Sequence, residues 1–232
     1  MGNDVLDLEQ LASLLGRDAR ELGKLANRGH LPGRKVGGEW RFAAAEIHHW
    51  VERQMPAWSD KEHHGLDPIC RSGGITPVIV GLIPANCIDI NLPARTKGSV
   101  IRELVKLASN ADSVWDANAI REAVETCEAK ATTAAPGGFA LPHPHRRLPN
   151  VLGGSVIAFG RTVAGIPFGA EHGGLTDLFF LVCCTDDRQH LRVLSRLSRI
   201  LRRPGFADEL RSAESPTEVR RLIEAAELAL SN

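Results

Sequence analysis

Leu8, Leu11, Leu14 and Leu15 recur at helical spacing until Gly16 interrupts them, which predicts a first amphipathic helix. Asp18 stands where an N-cap belongs. It opens a second helix through Arg28, with Leu22 and Leu25 on the apolar face and Gly29 at the end. The pattern then changes: Arg34-Lys35-Val36-Gly37-Gly38-Glu39-Trp40-Arg41-Phe42 reads as a hairpin turning at Gly37-Gly38, with Trp40 and Phe42 assigned to the core. A third helix carries Ile47 and Trp50 inward and finishes near Gln54. Residues 1–58 are therefore expected to form one small domain. Periodicity fades after Met55, and Gly65, Pro68, Gly73 and Gly74 mark residues 59–74 as a linker.

Residues 75–232 alternate strand-like and helix-like segments. Cys87-Ile88-Asp89-Ile90-Asn91-Leu92 alternates as a strand, and Val100, Ile101, Leu104 and Leu107-Ala108 mark a helix. Asp116 can cap a helix that places Ile120, Val124 and Cys127 on one face, so a packed thiol is expected at Cys127. Strands are predicted near Ser155–Phe159 and Leu178–Cys184. Asp186 or Asp187 then caps a helix whose apolar seam is Leu191, Leu194, Leu197 and Leu201, ended by Pro204-Gly205. On that seam His190 should point toward the strand ends, as a core histidine or as part of a site. Arg188, Arg192, Arg196, Arg199 and Arg203 fall on the opposite side, expected as a solvated basic face. Ser215-Pro216-Thr217-Glu218 opens a last, structural helix. The alternation predicts an α/β layered domain, helices flanking a mixed sheet.

Composition narrows the functional classes. A formal net charge of +0 excludes whole-protein attraction to nucleic acid or anionic lipid, so any such binding needs a local patch. Cys70, Cys87, Cys127, Cys183 and Cys184 lack zinc-ligand spacing and read as free thiols. The pairs His48-His49 and His63-His64 also lack ligand spacing and are expected as solvated histidines, with no metal bound. No signal-peptide pattern or bilayer-length apolar stretch is seen, so the expectation is a cytoplasmic protein without membrane contact and not an autonomous sugar permease.

Chemistry concentrates in Gly137-Gly138-Phe139-Ala140-Leu141-Pro142-His143-Pro144-His145-Arg146-Arg147. Prolines on both sides of His143 disfavour helical backbone there, so the imidazole is held on stiff, extended chain. A neutral imidazole of fixed orientation is a competent nucleophile near pH 7. The segment Gly138-Phe139-Ala140-Leu141-Pro142-His143 and the hydroxyl pair Thr132-Thr133 resemble enzyme IIA domains of the bacterial phosphotransferase system, of the fructose, mannitol and nitrogen-regulatory type. Asp177-Leu178-Phe179-Phe180-Leu181-Val182 and Gln189-His190-Leu191 agree with it in order and spacing. The resemblance covers the chain from Ile75 onward. It implies that His143 accepts a phosphoryl group from a histidine phosphocarrier protein, with the hydroxyls of Thr132 or Thr133, backbone N–H groups and His190 stabilising the transferring oxygens, and no cofactor.

The family usually carries an Arg-Glu pair ahead of the histidine, the Arg supplying charge to the phosphoryl group. Here Cys127-Glu128 stands instead, and a thiol cannot offer the forked donors of a guanidinium. Arg146 and Arg147 are the nearest candidate phosphate-binding replacements. Pro144 also replaces a residue that is commonly small.

Gly29-His30-Leu31-Pro32-Gly33-Arg34-Lys35-Val36-Gly37-Gly38-Glu39-Trp40-Arg41-Phe42 resembles the excisionase/MerR-type winged helix-turn-helix. That resemblance implies a second helix in the major groove and a wing on phosphates. The matching DNA-binding candidates are Arg17, Arg20, Lys24 and Arg28 on the helix and Arg34, Lys35 and Arg41 around the wing. Asp18 and Glu21 lie among them and oppose phosphate, so a winged helix used for protein contacts stays open. The combined expectation is a regulatory phosphoprotein, a candidate homodimer, whose phosphorylation modulates DNA or protein binding by the N-terminal domain. Two alternatives are a relay component passing phosphate to a sugar IIB protein and a binding protein that has lost phosphorylation.

Overall fold

The computed structural model describes residues 5–55, 58, 60–66, 78–145, 148 and 150–231, and the chain divides into two compact units, residues 1–74 and 75–232. In the first unit the order is β1 (Val5–Leu6), α1 (Leu8–Leu15), α2 (Ala19–Asn27), β2 (Arg34–Val36), β3 (Glu39–Ala43), α3 (Ala44–Gln54) and α4 (Asp60–Gly65). Asp7 and Gln10 cap α1 reciprocally, and the Asp18 carboxylate accepts the amides of Arg20 and Glu21 at the start of α2. Leu11, Leu15, Leu22, Phe42, Ile47 and Val51 are buried and make the core. β3 lies between β1 and β2, both antiparallel to it. Val36 faces Glu39 across a two-residue turn in which Gly37 and Gly38 have φ of 61° and 86°, a conformation that side-chain-bearing residues resist.

The segment expected as a linker starts as structure. In α4, Gly65 approaches the end of α1 so closely that a Cβ there would lie 2.5 Å from the Leu15 carbonyl oxygen. His63 is fully buried and its ring meets Trp58 edge-on, while His48 is also buried, which corrects the expectation of solvated histidines. The helix escaped the periodicity reading because it is six residues long and packs through glycine backbone, not through an apolar stripe. The His64 side chain, Cys70 and the rest of the expected linker to Gly74 lie outside the described residues.

The second unit runs α5 (Ile79–Leu82), β4 (Ile88–Asp89), α6 (Lys97–Ala108), α7 (Ala117–Lys130), β5 (Ala134–Ala135), β6 (Phe139–Ala140), β7 (Val156–Ile166), β8 (Thr176–Cys183), α8 (Asp187–Leu201), α9 (Phe206–Ser212) and α10 (Pro216–Leu228). The sheet order is β4-β7-β8-β6-β5. β7 and β8 pair antiparallel, whereas β4 joins β7 and β6 joins β8 in parallel, so the sheet is mixed. Only Ile88 and Asp89 of the expected Cys87–Leu92 strand pair in the ladder, because Ala85–Cys87 winds as a 3-10 turn. The core gathers Val100, Leu104, Ile120, Val124, Phe168 and Phe179 around the sheet. Among the described residues, no helix is long and apolar enough to cross a membrane.

α8 departs from its expected basic face. Arg196 is 1% exposed, and its guanidinium lies 2.5 Å from the Glu227 carboxylate of α10. Glu227 also accepts the amides of Val78 at 2.8 Å and Ile79 at 3.0 Å, where the four-residue α5 begins. One carboxylate thus joins α10, α8 and the first turn of α5. Glu227→Ala is expected to destabilise this unit by about 3–5 kcal/mol, because a buried guanidinium loses its carboxylate and two amides lose their acceptor. Urea unfolding followed by tryptophan fluorescence and amide circular dichroism measures it; a loss below 1 kcal/mol would mean that the junction contributes little.

Candidate functional site

β5 and β6 form a short hairpin whose outer strand is the edge of the sheet and whose inner strand is stitched to β8. Phe139 pairs with Leu178 and Ala140 with Phe179. Beyond the strand, the Pro142 carbonyl accepts the Val182 amide at 3.0 Å, so the chain is still fastened one residue before His143. His143 is 5% exposed, and its Nδ1 is 2.7 Å from the Leu141 carbonyl oxygen. A carbonyl can only accept, so Nδ1 carries the proton and the lone pair of the neutral ring lies on Nε2.

His190 arrives from a different element. Asp186 caps α8 by accepting the Gln189 amide at 2.8 Å, and its carbonyl accepts the His190 amide at 2.9 Å. Ser155 pins the same turn: its hydroxyl donates to Gln189 Oε1 at 2.5 Å and accepts the Thr185 amide at 3.0 Å. The His190 ring consequently sits edge-on to His143, centroids 5.0 Å apart and planes at 64°. The two histidines singled out in the sequence are neighbours. Close by, burial pushes the Cys184 thiol up to about 12 and the Cys183 thiol further, so both stay protonated near neutral pH.

Thr132 and Thr133 lie at the base of the hairpin. The Thr132 hydroxyl donates to the Phe168 carbonyl at 3.3 Å and accepts the Ala134 amide at 3.2 Å. Thr133 gives Glu128 both its amide, at 3.1 Å, and its hydroxyl. Cys127 is buried on the α7 face that carries Ile120 and Val124, as its spacing predicts. Arg146 and Arg147 lie outside the described residues.

Sequence reasoning missed two ion pairs around this hairpin. Lys97 Nζ is 2.7 Å from Glu128 Oε2. Arg211 forks onto Asp177, Nε at 2.7 Å and Nη2 at 2.8 Å, and Nη2 also donates to the Gly137 carbonyl at 2.7 Å in the hairpin turn. The two aspartates that Arg211 meets, Asp177 and Asp208, raise its pKa further above the ordinary arginine value. Asp177 opens an apolar strand, where a lone carboxylate signals a partner. Nothing local to Arg211 identifies that partner.

In the first unit, Arg20, Glu21, Lys24, Asn27 and Arg28 are exposed along one side of α2, while Leu22 and Ala26 are buried on the other. A Cβ on Gly23 would touch Leu8 at 3.5 Å, so that glycine serves the packing of α2 on α1. Arg34 and Lys35 are exposed on β2, Lys35 with its ammonium 5.3 Å from the Trp40 ring centroid. Arg17 and Arg41 differ: Arg17 is ion-paired with Glu21 and Glu62, and Arg41 holds Glu39 at 2.6 Å. The basic residues brought to one open helix side are thus Arg20, Lys24 and Arg28.

Residues 82–226 match the family described as phosphoenolpyruvate-dependent sugar phosphotransferase system, EIIA 2, and residues 5–55 match a helix-turn-helix domain family. The chain is 31% identical over 147 residues to the fructose-specific EIIABC component of Bacillus subtilis, covering 62% of this chain but only 23% of that protein. It is 31% identical over 144 residues to the fructose-specific EIIA component of Haloferax volcanii, covering 61% of this chain and 92% of the relative. In fold it is similar to the nitrogen regulatory protein IIA-Ntr of Neisseria meningitidis, with a TM-score of 0.58, 24% identity, and coverage of 63% of this chain and 99% of the other. With a matched region that runs from before β4 into α10 and includes both paired histidines, the chain belongs to the EIIA 2 family of the sugar phosphotransferase system and carries a helix-turn-helix domain ahead of it.

Proposed function

We propose that this protein is a phosphoryl carrier whose acceptor is His143 Nε2, and that its phosphorylation state governs DNA or protein binding by the helix-turn-helix unit. The observation that carries the reading is the Nδ1 bond to the Leu141 carbonyl, which assigns the nucleophilic lone pair to Nε2 beside His190. In the transfer, Nε2 attacks phosphorus of a phosphohistidine on a carrier protein while the phosphorus–nitrogen bond to the donor ring breaks. A donor ring protonated at its other nitrogen leaves as neutral imidazole. His143 becomes the phosphoimidazolium, its Nδ1–H still donated to Leu141. His190 supplies a hydrogen bond to the transferring oxygens. Thr132 and Thr133 serve the site by fixing the loop that carries His143, with Arg146 and Arg147 proposed as the cations that offset the absence of Arg at Cys127.

The exposed Arg20, Lys24 and Arg28, with Arg34 and Lys35 on the wing, support DNA as the ligand of the first unit, bound by a candidate homodimer. The fructose-specific relatives favour a second reading, in which His143 passes its phosphoryl group to a sugar IIB protein.

Incubation of the full chain with phosphoenolpyruvate and the general phosphotransferase enzymes should add one acid-labile phosphoryl group, located by mass spectrometry at His143. His143→Ala should abolish it. Persistent labelling of that variant would move the acceptor elsewhere, and absent labelling of the wild type would leave a binding protein that has lost phosphorylation.

His190→Ala should fold normally and slow transfer by up to about 10²–10³-fold, the range for removing one transition-state donor. Normal rapid-quench kinetics in this variant would return His190 to core packing.

For the helix-turn-helix unit, fluorescence anisotropy with duplex DNA should show salt-sensitive binding. Lys24→Ala should reduce the slope of log affinity against log salt by about one. No binding at low salt would favour a protein partner instead.

A further inference from the structure

We propose that Lys97 and Glu128 are positioning residues that hold His143 in the Nδ1–H tautomer, an inference that rests on His143 being the phosphoryl acceptor. The placement of both residues is costly unless it serves something. Lys97 is the first residue of α6, where the helix dipole disfavours a cation, and the Glu128 side chain is 1% exposed. Three contacts offset this. The Lys97 ammonium lies 2.7 Å from the Glu128 carboxylate, and it donates to the Glu128 carbonyl at 3.2 Å, near the negative end of α7. It also lies 4.9 Å from the Phe168 ring centroid.

Docking α6 on α7 would need only that ion pair. The second carboxylate oxygen of Glu128 instead takes the Thr133 amide and hydroxyl. Thr133 is the closing residue of the β5–β6 hairpin: its carbonyl accepts the Leu141 amide at 3.4 Å. The Leu141 carbonyl then accepts Nδ1–H of His143 at 2.7 Å. An ion pair and then a succession of hydrogen bonds thus leads from Lys97 through Glu128, Thr133 and Leu141 to the imidazole, each holding the stretch of backbone from which the next is made. Thr132 is held in parallel on the Phe168 carbonyl, in a space open only because residue 169 is glycine, where a Cβ would stand 2.9 Å from the Thr132 hydroxyl.

The consequence is chemical. A histidine in water favours the Nε2–H form, which has no lone pair on the nitrogen proposed to attack. Fixing the Leu141 carbonyl against Nδ1 reverses that preference, much as outer groups orient histidines that bind metals. The chain lacks the arginine expected at Cys127 yet keeps Glu128, because the two neighbours act differently: one on the phosphoryl charge, the other on the ring.

The test uses the full chain labelled with ¹⁵N-histidine, with His143 signals identified by their loss in His143→Gln. Two-bond ¹H–¹⁵N spectra should show Nδ1–H in the wild type and a rise of Nε2–H in Glu128→Gln and in Lys97→Met. Phosphoryl transfer in both variants should slow about 10–100-fold, the usual effect of losing a group that orients a histidine. Glu125→Gln, which breaks a half-buried ion pair with Arg121 on the same helix, should change neither readout. Glu128→Gln leaves unpaired only an ammonium that is 32% exposed, so it keeps the fold even where Lys97→Met, which strands a buried carboxylate, does not. A folded variant with His143 still in the Nδ1–H form overturns the proposal. If the wild type accepts no phosphoryl group the carrier reading fails, while the tautomer spectra still decide whether Lys97 and Glu128 set the ring.

Discussion

The parallel pairing of β6 with β8 is the constraint on which the second unit's chemistry depends. β6 is two residues long, too short to stay in a ladder by its own hydrogen bonds. Its register is kept by contacts beyond its ends. The Gly138 carbonyl accepts the amides of Asp177 and Leu178, and the Pro142 carbonyl accepts that of Val182. Between these points Phe139 and Ala140 are buried in the sheet. Pro142 and Pro144 then stiffen the exit, so a histidine that follows a minimal strand is still placed by the central strand of the sheet.

Buried and half-buried ion pairs supply the rest of the placement, which is an expensive way to build. Desolvating a charge is repaid only when geometry and further hydrogen bonds are good, and apolar replacements are often as stable. Three of the pairs in this unit carry extra backbone bonds. Glu227 takes two amides beside Arg196, Glu128 takes one beside Lys97, and Arg211 holds the Gly137 carbonyl beside Asp177. Two of the three grip the β5–β6 hairpin, at its base and at its turn. Their effect is therefore on where the hairpin sits, more than on the total stability of the unit.

Local signals made much of this legible. Candidate caps at Asp18, Asp116, Asp186 or Asp187, and Ser215 marked helix starts, and the structure places a helix at each, with Asp186 the cap of α8. The pairing of His143 with His190 was legible through a motif and an apolar seam read together. What stayed hidden was long-range. Arg196 shares the spacing of surface arginines, and its buried carboxylate partner, Glu227, lies thirty-one positions later on another helix. Lys97 reads as an ordinary exposed first-turn residue until α7 brings Glu128 to it. Periodicity reports which side of a helix faces apolar neighbours, and it is silent about a charge whose partner lies on another element.

The same limit explains the small first unit. Its basic residues were counted together from sequence, yet their environments divide them. Arg17 and Arg41 are engaged by Glu21, Glu62 and Glu39, so their charge is already compensated within the unit. Arg20, Lys24 and Arg28 are exposed on α2, and Glu21 among them is turned to Arg17. An acid that would repel phosphate on an unpaired helix is thereby partly neutralised by its own neighbour four residues earlier. The open side of α2 therefore presents Arg20, Lys24 and Arg28 together, a local cluster of cations in a chain of zero formal charge.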